Sequence, residues 1–549
     1  MTSTLAYKSD TDVEKSVTHA HQTPRYLRDT DVSKDGLSVT LTRITNLGSR
    51  AGTVQNYADN GNTILLPTPT DDPNDPLNWS RSFKWFLTCI VCAAAFMSNL
   101  TAAGPSIAIL ETSKDFGTAP PKTAYLYSCA ALLQGLSMFL WSPLVTKYGK
   151  RPVYVLSYVI YLAVALGSGA CKTWSSQLVL RCILGAASGA GEMLGPLTIG
   201  DIWFVHERST PMAAYNAFLS VGVAFGMIID GFITRDLTWR YIYWVSSALI
   251  GALTILVVFC CPETSYRRPP LAPVHLEDRP EVDQSRKKSY WKTLALFSGQ
   301  TYTEESFVKL LIRPFLVIAY PAVLWAAFCF AGTIGFLVAV TTNVAIAYNA
   351  GYGFGPANVG LCFVAGLIGS VVGIAFGGQL SDWISKRSTK KNKGLREPEM
   401  RLPALSQAII TSPLALALFG AGIQNHWHWI VPTIGLGLLN FSIVSGTNVA
   451  LVYAIDCYKP ISSEVVTAIL GYKAAIGFLL SFYTNPWVAS QGYQNAYGEM
   501  AAIASIIWLF VFVFYFFGKR IRLASLEWRA LKYLAWHEDR DDAVLVEED

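Results

Sequence analysis

Apolar residues recur along the chain in runs long enough to cross a bilayer, and polar residues collect between them. Twelve such runs lie between Trp85 and Gly518, at about 84–108, 123–145, 153–171, 176–200, 212–234, 241–261, 314–342, 357–379, 402–421, 427–454, 464–488 and 500–518. A hydrocarbon core about 30 Å thick needs about 20 mostly apolar residues per helix. Barrel strands would be shorter and would alternate, and a bilayer offers open backbone groups no partner, so each run predicts a helix. The fold class is all-α, a polytopic membrane protein with twelve transmembrane helices. Spans 6 and 7 are separated by a polar, basic stretch at 262–313, which predicts two six-helix bundles, 83–261 and 314–518. Residues 1–82 read as a disordered N-terminal tail and 519–549 as a C-terminal tail.

Composition supports this reading. Of 549 residues, 52% are apolar and 15% charged. The first apolar run begins some eighty residues in, so no cleavable leader is expected. Basic residues cluster after spans 2, 6, 8 and 12, among them Lys147, Lys150, Lys386, Arg387 and Lys519, whereas the connections 343–356 and 489–499 contain no Lys or Arg. The positive-inside rule then puts both termini in the cytoplasm. The basic residues report topology, and no nucleic-acid partner is expected. Cys89 with Cys92 and Cys260 with Cys261 fall at apolar helix positions and read as packing. His19 and His21 in the tail form at most a weak metal site, so neither metal nor cofactor is expected. Leu523, Leu526, Ala530, Leu531 and Leu534 lie at helical spacing, as in an amphipathic surface helix.

Weak internal echoes relate the halves. "SPLVTKYGKR" follows span 2 and "GGQLSDWISKR" follows span 8; span 4 ends in "IGDIW" and span 10 in "AIDCY". Over roughly 71–520 these words resemble the major facilitator superfamily. "DPNDPLNWS", "CPETS", "LREPEMRLP" and "TNPW" extend the resemblance to fungal drug and proton antiporters, near the organic-cation and polyamine permeases. The resemblance implies alternating-access transport of a small organic molecule, coupled to protons, by a monomer in the plasma membrane. Efflux of a drug, toxin or secondary metabolite is the leading expectation; uptake of polyamines or other organic cations and a non-transporting nutrient sensor are the alternatives. Two positions depart from the antiporter pattern. Thr146 stands where an Asp is usual, and Met227 and Asp230 replace a Pro and a Gly in "GVAFGMIIDG".

Charges inside spans are expensive and mark function by default. They are Arg181, Glu192, Asp230 and Lys473. Arg181, which matches the span 4 Arg of the superfamily, and Glu192 share a helix face some 16 Å apart, at about 1.5 Å per residue. The depths of spans 4 and 5 predict an Arg181–Asp230 pair, and leave Glu192 to Lys473 or to a cationic substrate. A fixed structural ion pair is the plain alternative. Because burial raises a carboxyl pKa and a nearby cation lowers it, such a group can load and unload a proton. Asp201 is expected to face Lys147 or Lys150 at a cytoplasmic gate, and Asp456 and Asp382 to face Lys386 or Arg387. Asn99, Gln134, Asn343, Asn440, Asn448 and Asn485 are candidate cavity amides, and Trp325, Phe328, Phe330 and Tyr453 candidate cavity aromatics. No GxxxxGK[ST] stretch or catalytic constellation is present, so the chain does not read as an enzyme. About 150 mV and two pH units would let one proton sustain a gradient on the order of 10⁴.

Overall fold

The computed structural model describes residues 69–266, 289–296, 301–458 and 461–526, apart from 206, 304, 393 and 394, together with 54–55, 64–65, 67, 274–275 and 528. All of these belong to the unit that begins at Gly48. Eleven helices among them are long and apolar enough to cross a membrane. We label the first ten α1 (Arg81–Phe116), α2 (Lys122–Tyr148), α3 (Lys150–Ala170), α4 (Trp174–Ile202), α5 (Ser209–Asp236), α6 (Arg240–Cys260), α7 (Pro321–Tyr352), α8 (Pro356–Lys391), α9 (Pro398–Gln424) and α10 (Ile430–Cys457). The eleventh, Ser462–Ser525, has 64 residues. At about 1.5 Å per residue it would be roughly three bilayers long. Gly492 divides it, with φ 80, and a Cβ there would stand 2.8 Å from the Gln424 side chain. The arms on either side, 462–491 and 493–525, are α11 and α12. The fold is all-helical, as the apolar runs predict, with eleven crossing helices among the described residues, or twelve when the arms on either side of Gly492 are counted separately.

In the first half α2 packs on α4, α1 on α5, and α3 on α4 and α6; in the second, α9 and α8 pack on α10. The halves meet along two seams, α2 with α11 and α5 with α8. Close approach there is written in small residues. Gly135 lies against Ala474 and Gly471 against the Phe139 ring, while Gly360 lies 2.7 Å, measured from an added Cβ, from the Met227 carbonyl oxygen. Large apolar side chains such as Leu140, Ile368, Ile410 and Phe516 point outward, as a lipid-facing surface requires.

The helices are not uniform. Pro105 breaks the α-helical ladder of α1 into a 3₁₀ turn, Gly104–Ala108. In the second half π turns interrupt α7 at Ala331–Gly335, α8 at Ala375–Leu380 and α10 at Ile443–Thr447. Such turns leave carbonyls for other donors. Asn448 Nδ2 donates to the Gly377 carbonyl of the α8 turn at 2.7 Å.

Three boundaries differ from expectation. Span 8 does not stop at 379: α8 runs on to Lys391 as a polar helix. Span 7 does not start at 314, because Phe307–Val317 forms a separate helix and the crossing helix starts at Pro321. The segment just before α1, expected to belong to a tail, is held by hydrogen bonds from residue 70 onward. Asp75 accepts from the Leu77 and Thr70 amides, and Asn78 holds the Thr70 and Asp72 carbonyls. Tyr266, beyond α6, donates to Asp72 at 2.9 Å, and burial pushes its phenol up to about 12. Two short ribbons also form, Val54–Gln55 against Leu395–Arg396 and Ile64–Leu65 against Val274–His275. His19, His21, Ala530, Leu531 and Leu534 lie outside the described residues.

Candidate functional site

Glu192 sits on α4 one turn past a stretch that packs tightly on α2. Gly185 and Gly189 face the carbonyls of Ala130 and Gln134, so a side chain at either would collide with backbone. The closeness lets Gln134 Nε2 donate to Glu192 Oε2 at 2.7 Å. From the other half, the tight α2–α11 crossing brings Lys473, whose Nζ donates to Glu192 Oε1 in an ion pair. Glu192 is 1% exposed and Lys473 6%. Truncating one partner of such a pair costs about 3–5 kcal/mol, because the other charge is left buried alone.

The backbone at Glu192 is also accounted for. Pro196 has no N–H, so the carbonyl four residues back, that of Glu192, has no helical donor. Tyr215 of α5 supplies one at 2.8 Å. Its ring packs over Gly195.

Glu192, Lys473 and Gln134 line a cavity of about 80 Å³ between the halves, with Asn99, Tyr127 and Thr341. That is below the roughly 300–1,000 Å³ of sites that hold organic ligands. As it stands, the cavity has no room for a ligand of that size. A second cavity, of about 510 Å³, is lined by Asn343, Asn485, Gln424, His426 and Tyr493 from α7, α9, α11 and the residues after them. Asn343 donates to Asn485 at 2.6 Å. Asn99 donates to its own helix, to the Ala95 carbonyl at 3.2 Å.

Asn440 and Asn448 line neither cavity; they join helices. Ser220 of α5 donates to Asn440 Oδ1 at 2.5 Å, and Asn216 to Asn448 Oδ1 at 3.2 Å. Both bonds cross the α5 seam into the second half. The aromatic candidates are packing too. Trp325 donates to the Ile507 carbonyl and stacks on Phe514, Tyr453 packs edge-on against Trp325, Phe330 is fully buried, and Phe328 faces outward.

The expected Arg181–Asp230 ion pair does not form. Pro105 again gives the reason, since it leaves the Thr101 carbonyl without its helical donor. Arg181 Nη1 takes that carbonyl at 2.6 Å, Nη2 the Ala102 carbonyl at 3.2 Å and Nε the Leu126 carbonyl at 3.3 Å. The rings of Tyr127 and Tyr243 lie 5.3 and 5.8 Å from the guanidinium carbon. The cation is thus held by backbone and aromatic faces.

At the face that carries the basic connections, Lys150 pairs with Asp201. Lys147 is not the partner; its carbonyl accepts from the Tyr302 amide at 3.1 Å. Gly149, φ 94, turns the chain so that Lys150 opens α3, and Glu263 of "CPETS" accepts the Lys150 and Arg151 amides at 3.0 Å each. In the second half the expected cations are wrong. Helix α8 carries Lys386 and Arg387 onward, and Arg387 lies over the Trp383 ring at 5.5 Å. Asp456 instead meets Arg396 at 3.3 Å and Arg401 at 3.5 Å, and Asp382 meets Arg401 at 3.4 Å. Both arginines also reach the first half, Arg396 to the Val205 carbonyl at 3.2 Å and Arg401 to the Ser209 hydroxyl.

A buried ion pair is missing from the sequence reading altogether. Arg313, in the helix before α7, grips Glu305 with both terminal nitrogens and lies 3.8 Å from Glu464 at the start of α11. The signal for it was Arg313 itself, a charge within the apolar stretch "FVKLLIRPFLV".

Membrane-crossing helices packed along two seams, with charged side chains buried in a cavity on one of them, are the architecture of a secondary transporter. The chain belongs to the Major Facilitator Superfamily, whose family profile matches residues 86–456. It is 26% identical to the protein HOL1 of Saccharomyces cerevisiae, over 85% of this chain and 91% of that one. It is also 26% identical to the efflux pump vrtL of Penicillium aethiopicum, over 85% and 92%. The solved proton:xylose symporter XylE superposes with a TM-score of 0.55 at 13% identity, over 80% of this chain and 97% of that one; that likeness concerns the fold.

Proposed function

We propose that this transporter exports a small organic molecule in exchange for protons, through the cavity walled by Glu192, Lys473 and Gln134. The carrying observation is the Glu192–Lys473 ion pair, a carboxylate on one half neutralised by an ammonium on the other. When the halves part, the carboxylate loses its cation and takes up either a proton or a cationic substrate. When they close, Lys473 returns and favours release of that proton. Only a contact present in one state shifts the equilibrium between states. Export is supported by the relative named an efflux pump.

In this reading the halves 83–261 and 314–518 rock as bodies in the plasma membrane, the basic face and both termini are cytoplasmic, and a monomer suffices. Asp201, Lys150, Asp456, Arg396 and Arg401 then close the cytoplasmic gate. Uptake of organic cations is the second reading, favoured by the buried carboxylates Glu192 and Asp230. Cells carrying Glu192→Gln separate the two. Export predicts that accumulated ethidium rises relative to the unaltered protein, whereas uptake predicts that accumulated labelled spermidine falls. Absence of any flux in proteoliposomes under an imposed pH gradient would point to a sensor.

A further inference from the structure

Asp230 lies in the second turn from the end of α5 and is 1% exposed. It fills the space that a side chain at Gly104 would need, against the 3₁₀ turn of α1. Its Oδ2 has no hydrogen-bond partner among the described residues. The groups that face it are few. From α4 comes Arg181, from α2 Tyr127 and from α6 Tyr243. From α1 it meets the backbone at Gly104, and the adjoining Gly231 packs on the Pro356 carbonyl of α8 at 2.8 Å from an added Cβ. Neither α1 nor α8 offers it a charge at these contacts. Arg181, the one cation among these described groups, directs its three kinds of N–H at the Leu126, Thr101 and Ala102 carbonyls.

A carboxylate oxygen sealed from water with no donor is costly, and such groups ordinarily respond by taking up a proton. A neutral acid is the cheaper form there, because an unpaired hydroxyl costs far less to bury than an unpaired charge. We infer that Asp230 carries a proton in this conformation and is a second proton-carrying residue of the transporter, separate from the ion-paired Glu192. The inference deepens the proton-coupled reading and rests on it for its meaning in transport. The step is an acid dissociation. When the α5–α8 contact at Gly231 opens and water enters, the O–H bond of Asp230 breaks, the proton passes to water, and the carboxylate left behind is stabilised by water and by the field of Arg181. Closure over a protonated Asp230 carries that proton inside. Glu192 has two donors of its own, Gln134 and Lys473, and needs no proton in the same state. The two acids are therefore in opposite states in one structure.

Infrared spectroscopy of the purified full-length protein at neutral pH reads this without any substrate. The expected result is a carbonyl stretch of a protonated carboxyl group that moves down in D₂O, persists in Glu192→Gln and disappears in Asp230→Asn. The inference is overturned if the unaltered protein lacks the band or if Asp230→Asn retains it. Should Asp230→Asn not fold, Asp230→Glu replaces it, and an unshifted band there overturns the inference equally. Loss of proton-driven transport in Glu192→Gln does not enter this readout, so the proposed function and the protonated Asp230 can fail independently.

Discussion

The Glu192 carboxylate of α4 and the Lys473 ammonium of α11 form an ion pair across the seam between the two halves, with Gln134 completing the carboxylate's hydrogen bonds. The pair is buried, so its geometry and its energetics point the same way: it is stable only while both members are present.

Replacing Lys473 by Met leaves the buried Glu192 carboxylate without its cation and is expected to destabilise the protein by about 3 kcal/mol or more. The double variant Glu192→Gln, Lys473→Met removes both charges and should recover most of that loss. Thermal melting of the detergent-purified proteins reads both. A double variant as unstable as Lys473→Met alone would mean that the two charges are not coupled.

Arg181 and Pro105 form a second testable couple. Arg181→Met strips the Thr101 carbonyl of its donor, at a cost of about 1–3 kcal/mol for each buried group left unpaired. Pro105→Ala restores a backbone N–H four residues after Thr101, so it should offset part of the loss in the Arg181→Met background while doing little in the unaltered protein. A double-mutant cycle by thermal melting gives the coupling, and strictly additive losses would contradict the account.

The same reasoning applies at Tyr215. Tyr215→Phe leaves the Glu192 carbonyl without a partner and should cost about 1–3 kcal/mol. Pro196→Ala supplies the missing amide and should reduce that cost. Thermal melting again decides, and a Tyr215→Phe protein as stable as the original would show that the hydroxyl is dispensable.

The two charge clusters at the basic face, proposed to act as a gate, should differ in their effect. Lys150 and Asp201 both belong to the first half, whereas Arg396 and Arg401 bridge Asp456 to Val205 and Ser209 across the halves. Asp456→Asn should therefore open the basic face more than Asp201→Asn does. A shift of about 1.4 kcal/mol would raise the labelling rate of a cysteine introduced at Val205 about tenfold. Equal labelling in the two variants would contradict the bridging role.

Much of this was legible in the sequence, and the parts that were not have physical reasons. The twelve runs announced the helices because barrel strands would be shorter and would alternate, and Glu192 announced itself by its apolar neighbours. Its partner Lys473 could be named because few charges lay at membrane depth. The Arg181–Asp230 pair was misjudged because depth and charge alone ignore competing acceptors: a proline frees a carbonyl, and a guanidinium with several donors prefers that cluster. The acids expected at the basic face do meet cations, but in the second half these are not the cations the sequence suggested. The observed partners depend on how far α8 continues past the membrane and on the 3₁₀ segment Pro398–Leu405 that returns Arg401 over Asp456. Loop length and helix extension are set by tertiary contacts that no local pattern encodes. Asn440 and Asn448 show the same limit, since an amide in an apolar run serves a cavity or a neighbouring helix equally well until the packing is known.

The central claim is that the Glu192 carboxylate couples proton movement to substrate movement. Proteoliposomes with an imposed pH gradient and a trapped pH indicator test it most directly, using ethidium or labelled spermidine, whichever the unaltered protein moves. The account predicts that Glu192→Gln still equilibrates the probe but no longer concentrates it against its gradient, and that the proton flux accompanying the probe is lost. Gradient-driven concentration of the probe by Glu192→Gln, at the rate of the unaltered protein, would contradict it.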